Sequence, residues 1–502
     1  MLLLLLLLTL PIVFIHLLRK TKSAKALNPP GPPRLPLIGN LHQIYSCKNL
    51  HEFLWQLSKK YGPIMYLKLG SMPLVVVSSV KLAKEVLKTQ DHLFCNRPNF
   101  VGLQKLSYNN SDIAFSPYSD SWRELRKILT VHLLSPKKVQ SFRPIREDEM
   151  SRLVARIKGV ALSSQVVNLN EIMTSFTSTL ICRVAFGKRY DEEGSDKRRF
   201  DELICEAEAM MAGFFMSDCF PGFGWMDKIS GMTSRLEKNF KEFDEFYAEI
   251  IEEHLDPDRK KKIKMKDEDD TDDVLDVLIK LKEEKTCSID LNWNTVKALL
   301  MNIFLAGSDT NAAAIIWTMT LLMKAPNVMK KVQIEIRELI GRKGTVDEDD
   351  LQKLPYLNAV INETFRLWPP SPLLVRSAVE KCTLDGYEIQ QETLVYINAW
   401  ATARDPDHWK NPDEFLPERF LHENIDVRGQ DFGVLPFGSG RRICAGILMG
   451  LAIVGLTVAS MLYHFDWELP QGMKPEDIDM DVMLGLAPHK KNALCLVPKK
   501  YI

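Results

Sequence analysis

The sequence predicts a mainly α-helical body with smaller β-sheets, preceded by one N-terminal transmembrane helix. Three observations carry this expectation: an apolar run over residues 2–18, apolar residues recurring at three and four through several later stretches, and two β-branched runs punctuated by turn residues over 64–77.

Residues 2–18 read LLLLLLLTLPIVFIHLL, apolar except for Thr9 and His16. As a helix the run is about 25 Å long, enough to span a thin bilayer, so membrane lipid is an expected partner. Arg19, Lys20, Lys22 and Lys25 follow it and nothing basic precedes it, which places the rest of the chain in the cytosol. Ala24-Lys25-Ala26 imitates a signal-peptidase site, but a signal peptide carries its charge before the apolar run, so the order favours a retained anchor. Residues 19–40 form a basic, proline-rich hinge, extended and stiff through the five prolines between Asn28 and Pro36. Residues 41–502 form the body.

Within the body, 64–69 and 74–77, separated by Gly70-Ser71-Met72-Pro73, have the pattern of a hairpin. Helical periodicity follows at 80–89, 119–132, 146–158 and 236–254. The charge-dense segment 256–273 reads as a solvated loop. Residues 298–323 carry one charge, Asp309, and would pass for a second membrane span. The cluster Asn302, Ser308, Asp309, Thr310 and Asn311 near the middle argues instead for a buried core helix with a functional break. Residues 393–397 resemble a strand. The Pro/Gly-rich stretch 405–442 fits neither regular element, and long irregular segments in compact domains are usually functional.

Composition excludes several classes. With 46% hydrophobic and 26% charged residues among 502, the chain buries a large core and is not disordered. Its 65 basic residues balance its 65 acidic ones, which argues against a general nucleic-acid surface. Nine cysteines with no C-x-x-C pair suit neither a disulfide framework nor a structural zinc site. The sequons at Asn109 and Asn362 are read as chance in a cytosol-facing body.

The most informative stretch is Phe437-Gly438-Ser439-Gly440-Arg441-Arg442-Ile443-Cys444-Ala445-Gly446, followed by an apolar run over 447–464. A metal-binding thiolate needs backbone N–H groups turned to sulfur, an apolar wall and close approach to a flat cofactor. The glycines permit such a loop, Phe437 supplies the wall, and Arg442 can pair with a cofactor carboxylate. This segment meets every fixed position of F-x-x-G-x-R-x-C-x-G, and the sequence resembles the haem-thiolate monooxygenases, the cytochromes P-450.

That resemblance implies a cytochrome P-450 fold around haem b (iron protoporphyrin IX), with Cys444 the iron ligand and Phe437 and Arg442 at the cofactor. Ala306-Gly307-Ser308-Asp309-Thr310 is similar to the family's A-G-x-D-T, where the glycine leaves room for dioxygen and Asp309 and Thr310 are the catalytic proton relay. Asn311 stands where the family often has Thr or Ser. Trp122 and Arg126, four apart on one helix face, match the W-x-x-x-R helix that bonds a haem propionate, although by themselves they could be a surface cation-π pair. Arg376 is expected at the same cofactor, with Val375 where relatives often carry proline. Glu363 and Arg366 have ion-pair spacing, and Pro417-Glu418-Arg419-Phe420 is similar to the segment whose arginine completes a structural triad with them.

Texture such as Pro-Pro-Gly-Pro-Pro makes the chain most similar to plant microsomal members acting in specialised metabolism. The implied reaction uses dioxygen and two electrons from NADPH-cytochrome P-450 reductase to oxidise a small hydrophobic metabolite of terpenoid, phenylpropanoid, alkaloid or aldoxime class, at the endoplasmic reticulum membrane. Segments 99–115, 214–223, 303–306, 370–374 and 484–487 are expected to line the substrate pocket, and Lys127, Lys137, Lys138 and Arg441 to face the reductase. Two alternatives are a haem-dependent rearrangement or dehydration, against which the intact Asp309-Thr310 pair speaks, and a non-catalytic haem sensor, which NADPH consumption coupled to product would separate.

Overall fold

The computed structural model describes residues 28–163, 165–189, 195–259, 272–422, 425–483, 485 and 487–501. The expected anchor, the basic part of the hinge and most of the charge-dense segment lie outside these. The described strands are β1 (Ile64–Leu69), β2 (Met72–Val77), β3 (Val167–Asn168), β4 (Leu373–Ser377), β5 (Cys382–Leu384), β6 (Tyr387–Ile389), β7 (Leu394–Asn398), β8 (Phe465–Glu468), β9 (Val482–Met483), β10 (His489–Lys490) and β11 (Cys495–Lys500). They make a four-stranded sheet in the order β1-β2-β7-β4, a three-stranded sheet β3-β11-β8, and the pairs β5-β6 and β9-β10. The helices that position the site are α1 (Leu50–Tyr61), α2 (Asp120–Lys127), α3 (Arg143–Leu162), α4 (Leu169–Phe186), α5 (Ser195–Met211), α6 (Met232–Leu255), α7 (Trp293–Lys324), α8 (Pro326–Ile340), α9 (Pro355–Leu367) and α10 (Ile447–His464).

The hairpin expected over 64–77 is present with a tighter turn. Leu69 pairs with Met72, leaving Gly70 and Ser71 to reverse the chain, and Gly70 takes φ 62°, which favours glycine. Pro73 is tolerated inside β2 because the parallel pairing to β7 begins only at Leu74. The proline-rich segment lies against β1: Tyr66 N–H donates to Pro30 O at 2.9 Å, Asn40 N–H to Lys68 O at 2.6 Å, and Lys68 N–H to Asn40 Oδ1 at 2.9 Å.

At the centre is α7. Its N-terminus is capped by Asn292, which accepts from Thr295 N–H, and it packs along α4, α9 and α10. Both α7 and α10 are long and apolar enough to cross a membrane, yet 72% of the apolar window of each is buried in the protein. They are core helices, as expected for 298–323. The break expected near its middle is absent: α7 is continuous from Trp293 to Lys324. Its polar groups are absorbed without opening the backbone, since Thr310 Oγ1 donates to Ala306 O at 2.6 Å and Asn311 Nδ2 to Gly307 O at 2.6 Å.

Two helix expectations end in π-helical turns, Glu85–Thr89 and Ile128–Leu133. The latter extends α2, whose start is capped by Ser119 accepting from Trp122 N–H. On α9, Glu363 and Arg366 are fully buried and paired at 2.7 and 2.9 Å, and Arg419 Nε donates to Glu363 Oε1 at 3.0 Å. Arg366 also donates to Ala403, Pro412 and Glu414 carbonyls, so the triad staples the irregular segment that leads to Cys444.

Candidate active site

The elements above surround a cavity of about 1140 Å³. Cys444 forms part of its floor, Ala306, Gly307, Thr310 and Asn311 of α7 face into it, and Trp122, Arg126, Arg97, Arg376 and Arg442 line one end.

The cysteine loop is held from both sides. Cys444 N–H donates to Phe437 O at 2.9 Å, and Gly446 N–H points at Cys444 Sγ at 3.3 Å. Gly438 and Gly440 take φ 67° and 72°, and a Cβ at Gly440 would collide with Leu87 O and the Asp91 carboxylate. That carboxylate instead accepts from Arg441 N at 3.1 Å and Nη1 at 2.7 Å. Phe437 lines the cavity and meets Phe365 edge-on, ring centres 5.6 Å apart. Burial pushes the Cys444 thiol up, while the Gly446 N–H and the Arg126 charge pull it down. A metal ion bound by sulfur adds the decisive charge for the thiolate.

Three arginines converge at one end. Arg442 donates to Cys95 O at 2.8 Å, Ile113 O at 3.2 Å and Ser116 O at 2.7 Å, with its guanidinium 4.2 Å from the Trp122 ring centre. Arg97 donates to Ala114 O and Val375 O, and Arg376 Nη1 to Val375 O at 3.0 Å while its buried Nε has no hydrogen-bond partner. None of the three is paired with a carboxylate among the described residues. Burial, reinforced by mutual repulsion, pushes Arg442 down to about 9 and Arg376 well below its usual range; burial brings Arg97 to about 10. A cationic cluster so situated calls for an anion from outside the chain. Such a lining suits a flat metal cofactor with two carboxylates: the thiol could hold the metal and the guanidinium groups the carboxylates.

Trp122 and Arg126 both line the cavity, but the Trp122 Nε1–H is committed to Ile113 O at 2.9 Å, so Trp122 meets the cluster through its ring under Arg442. Arg97, the third arginine, was missed by sequence reasoning. Its only signal was a charged residue before Pro98, which carries no motif.

Thr310 faces the cavity whereas Asp309 does not. The Asp309 carboxylate pairs with His489 Nε2 on β10 instead. Gly307 has a packing reason as well as an open face: an added Cβ would sit 2.9 Å from Ile181 Cδ1 of α4. Asn302, about two turns before Thr310 on α7, clasps the loop before α2. Its Oδ1 accepts from Ile113 and Ala114 N–H, and its Nδ2 donates to the buried Asp112 at 2.9 Å.

Of the segments expected at the substrate, Phe100, Ile113–Phe115, Phe214, Phe215, Ile303, Ala306 and Pro370–Leu374 line the cavity, as does Gly485; residues 484 and 486 lie outside the described chain. The cavity continues to Leu41, Ile44, Tyr45 and Leu50, which no periodicity pointed to.

Comparison with known proteins gives the family. Residues 29–496 match the family model described as Cytochrome P450. The chain is 49% identical to 6,7,8-trihydroxycoumarin synthase of Pastinaca sativa, over 99% of this chain and 98% of that one. It is 47% identical to 5-OH-xanthotoxin synthase of Ammi majus, with the same coverage. A zebrafish cytochrome P450 structure with abiraterone shares the fold, at TM-score 0.75 and 24% identity over 90% of this chain and 99% of that one. The chain therefore belongs to the cytochrome P450 family: it is a monooxygenase, and its cofactor is haem, iron protoporphyrin IX.

Proposed function

We propose that Cys444 is the thiolate ligand of the haem iron in a membrane-anchored enzyme of plant specialised metabolism that hydroxylates an aromatic, coumarin-like molecule. The observation that carries the site assignment is the Cys444 thiol lining the same cavity as Thr310 and as arginines that pair with no carboxylate among the described residues. Bound haem supplies the iron at which dioxygen is reduced and one of its oxygen atoms enters the substrate.

The chain's residues do the remaining work. Arg97, Arg376 and Arg442, with Arg126, hold the cofactor carboxylates, and Trp122 supports Arg442 through its ring. Gly446 N–H and the Phe437 wall fix the sulfur. Thr310 and Asp309 move protons to the oxygen side of the cavity, where apolar walls exclude bulk water. The Asn302–Asp112 clasp sets the position of Ile113, Ala114 and Phe115, and so helps to decide which C–H bond is presented. The relatives' names specify a trihydroxycoumarin and a 5-OH-xanthotoxin. These favour the phenylpropanoid class over terpenoid, alkaloid or aldoxime.

Residues 1–18 serve as a single-pass endoplasmic reticulum anchor, 19–40 as its hinge and 41–502 as one catalytic domain. In support, exposed Leu37, Ile38, Tyr45, Phe223, Trp225 and Ile229 lie in segments joined to one another through the Tyr45–Phe214 ring contact and the Ser71–Cys219 hydrogen bond. Exposed apolar side chains of this kind suit contact with a membrane surface. Electrons come from NADPH-cytochrome P-450 reductase, which docks on the basic face around Lys127, Lys137, Lys138 and Arg441; of these, Lys138 also donates to Asp272 O and Arg441 pairs with Asp91.

The test is to supply membranes containing the protein and reductase with NADPH, isotopically heavy dioxygen and a panel of coumarins including xanthotoxin. One heavy oxygen in a product that disappears in Cys444→Ala is the expected result. An unlabelled product that depends on Cys444 would contradict it.

A further inference from the structure

The acid and the alcohol of α7 face different surroundings. Thr310 looks into the cavity, and Asp309, about 100° away around the helix, points to β10 and pairs with His489 Nε2. We propose that His489 is the positioning residue through which protons reach Asp309 from outside the cavity. The proposal rests on reading Asp309 and Thr310 as the proton relay.

The strand that carries His489 is fixed to α7. Trp317, two turns beyond Asp309, donates its Nε1–H to Pro488 O at 2.6 Å, and Asn170 Nδ2 donates to Lys490 O at 3.2 Å. His489 and Asp309 side chains are 14% and 13% exposed, so the pair lies at the edge of the body rather than sealed within it. The charged groups facing His489 are Asp309 from α7 and Glu208 from α5. Lys490, next on the strand, turns away to Asp479 at 2.8 Å.

Burial alone would lower the His489 pKa, but the Asp309 hydrogen bond and the Asp309 and Glu208 charges outweigh it and raise it. Burial and the Asp309 charge push Glu208 up to about 8, against the His489 charge. The Asp309 contact thus favours the charged imidazole, the form that can hand over a proton. In the transfer, the His489 Nε2–H bond breaks, an O–H bond forms on Asp309, and the ring keeps the electron pair. The neutral imidazole then regains a proton from water. Asp309 passes its proton to the Thr310 side by rotating about its side-chain bonds.

The test uses His489→Gln in the full-length holoenzyme. Glutamine can still donate a hydrogen bond but cannot carry the proton. One readout is unfolding temperature against pH. A raised histidine pKa gives stability that is fully present below about 6.5 and is lost as pH rises through the folded value. The wild type's advantage over His489→Gln should shrink over that rise and vanish in an Asp309→Asn background. The other readout is NADPH oxidation with reductase and xanthotoxin in light and heavy water. The variant should slow about tenfold and show a larger solvent isotope effect, because bulk water is the slower donor. Additive thermal effects, or an unchanged rate and isotope effect, would overturn the proposal. Thr310→Ala run in parallel separates the causes: if it alters the isotope effect while His489→Gln does not, only the His489 step fails, and if neither does, the relay reading fails with it.

Discussion

Glu363, Arg366 and Arg419 form one buried cluster of charge and Arg97, Arg376 and Arg442 another, and the two are satisfied in opposite ways. In the first, one carboxylate accepts from both guanidinium groups and from Leu416 N–H, and backbone carbonyls take the remaining donors. In the second, carbonyls take what they can, Arg376 Nε takes nothing, and mutual repulsion adds to burial on Arg376 and Arg442. A buried charge whose countercharge is in the chain is architecture. One whose countercharge is not marks the place where a ligand brings it.

The comparison can be broken most directly at Glu363. Glu363→Gln leaves two buried arginines uncompensated and should destabilise the fold by about 3–5 kcal/mol, measured by denaturant unfolding of the holoenzyme. A loss within ordinary surface-mutation scatter would mean the triad is not structural. Arg442→Met should do the reverse, weakening haem retention roughly 10–100-fold while secondary structure by circular dichroism is kept. Haem transfer to apomyoglobin reads it, and retention equal to wild type would remove the arginine cluster's role. Asn302→Ala loosens the loop whose Ile113 and Ser116 carbonyls hold Arg442, at about 1–3 kcal/mol. It should speed haem loss less than Arg442→Met and alter the product pattern; an unaltered pattern would remove the clasp from substrate positioning. Lys137→Glu, outside both clusters, should shift stability by no more than about 0.5 kcal/mol. It should also lower reductase-driven turnover without changing substrate affinity, and unchanged turnover would remove Lys137 from the docking face.

The features legible from sequence are those written in short spacing. The cysteine loop's fixed residues lie within ten consecutive positions, and Glu363 and Arg366 share a helix face because they are three apart. The length and burial of α7 follow from its composition. What was not legible depends on contacts between distant segments. Arg97 reaches Val375 across 278 residues, and Asp309 meets His489 across 180, so neither partner carries a local signal. The expected break in α7 was an inference from clustered polar residues, but Thr310 and Asn311 satisfy themselves on their own helix's carbonyls. The turn at Gly70–Ser71 was read two residues too long, because Met72 and Pro73 belong to β2 through their pairing with Leu69 and Lys68, which no local spacing shows.

The most direct measurement is the absorption spectrum of the reduced, carbon monoxide-bound protein, in wild type and in Cys444→Ser. The red-shifted band that marks thiolate ligation should appear in wild type and be lost in the variant even where haem is retained. The same band in Cys444→Ser, or haem-loaded wild type without it, would contradict the assignment of Cys444 to the iron.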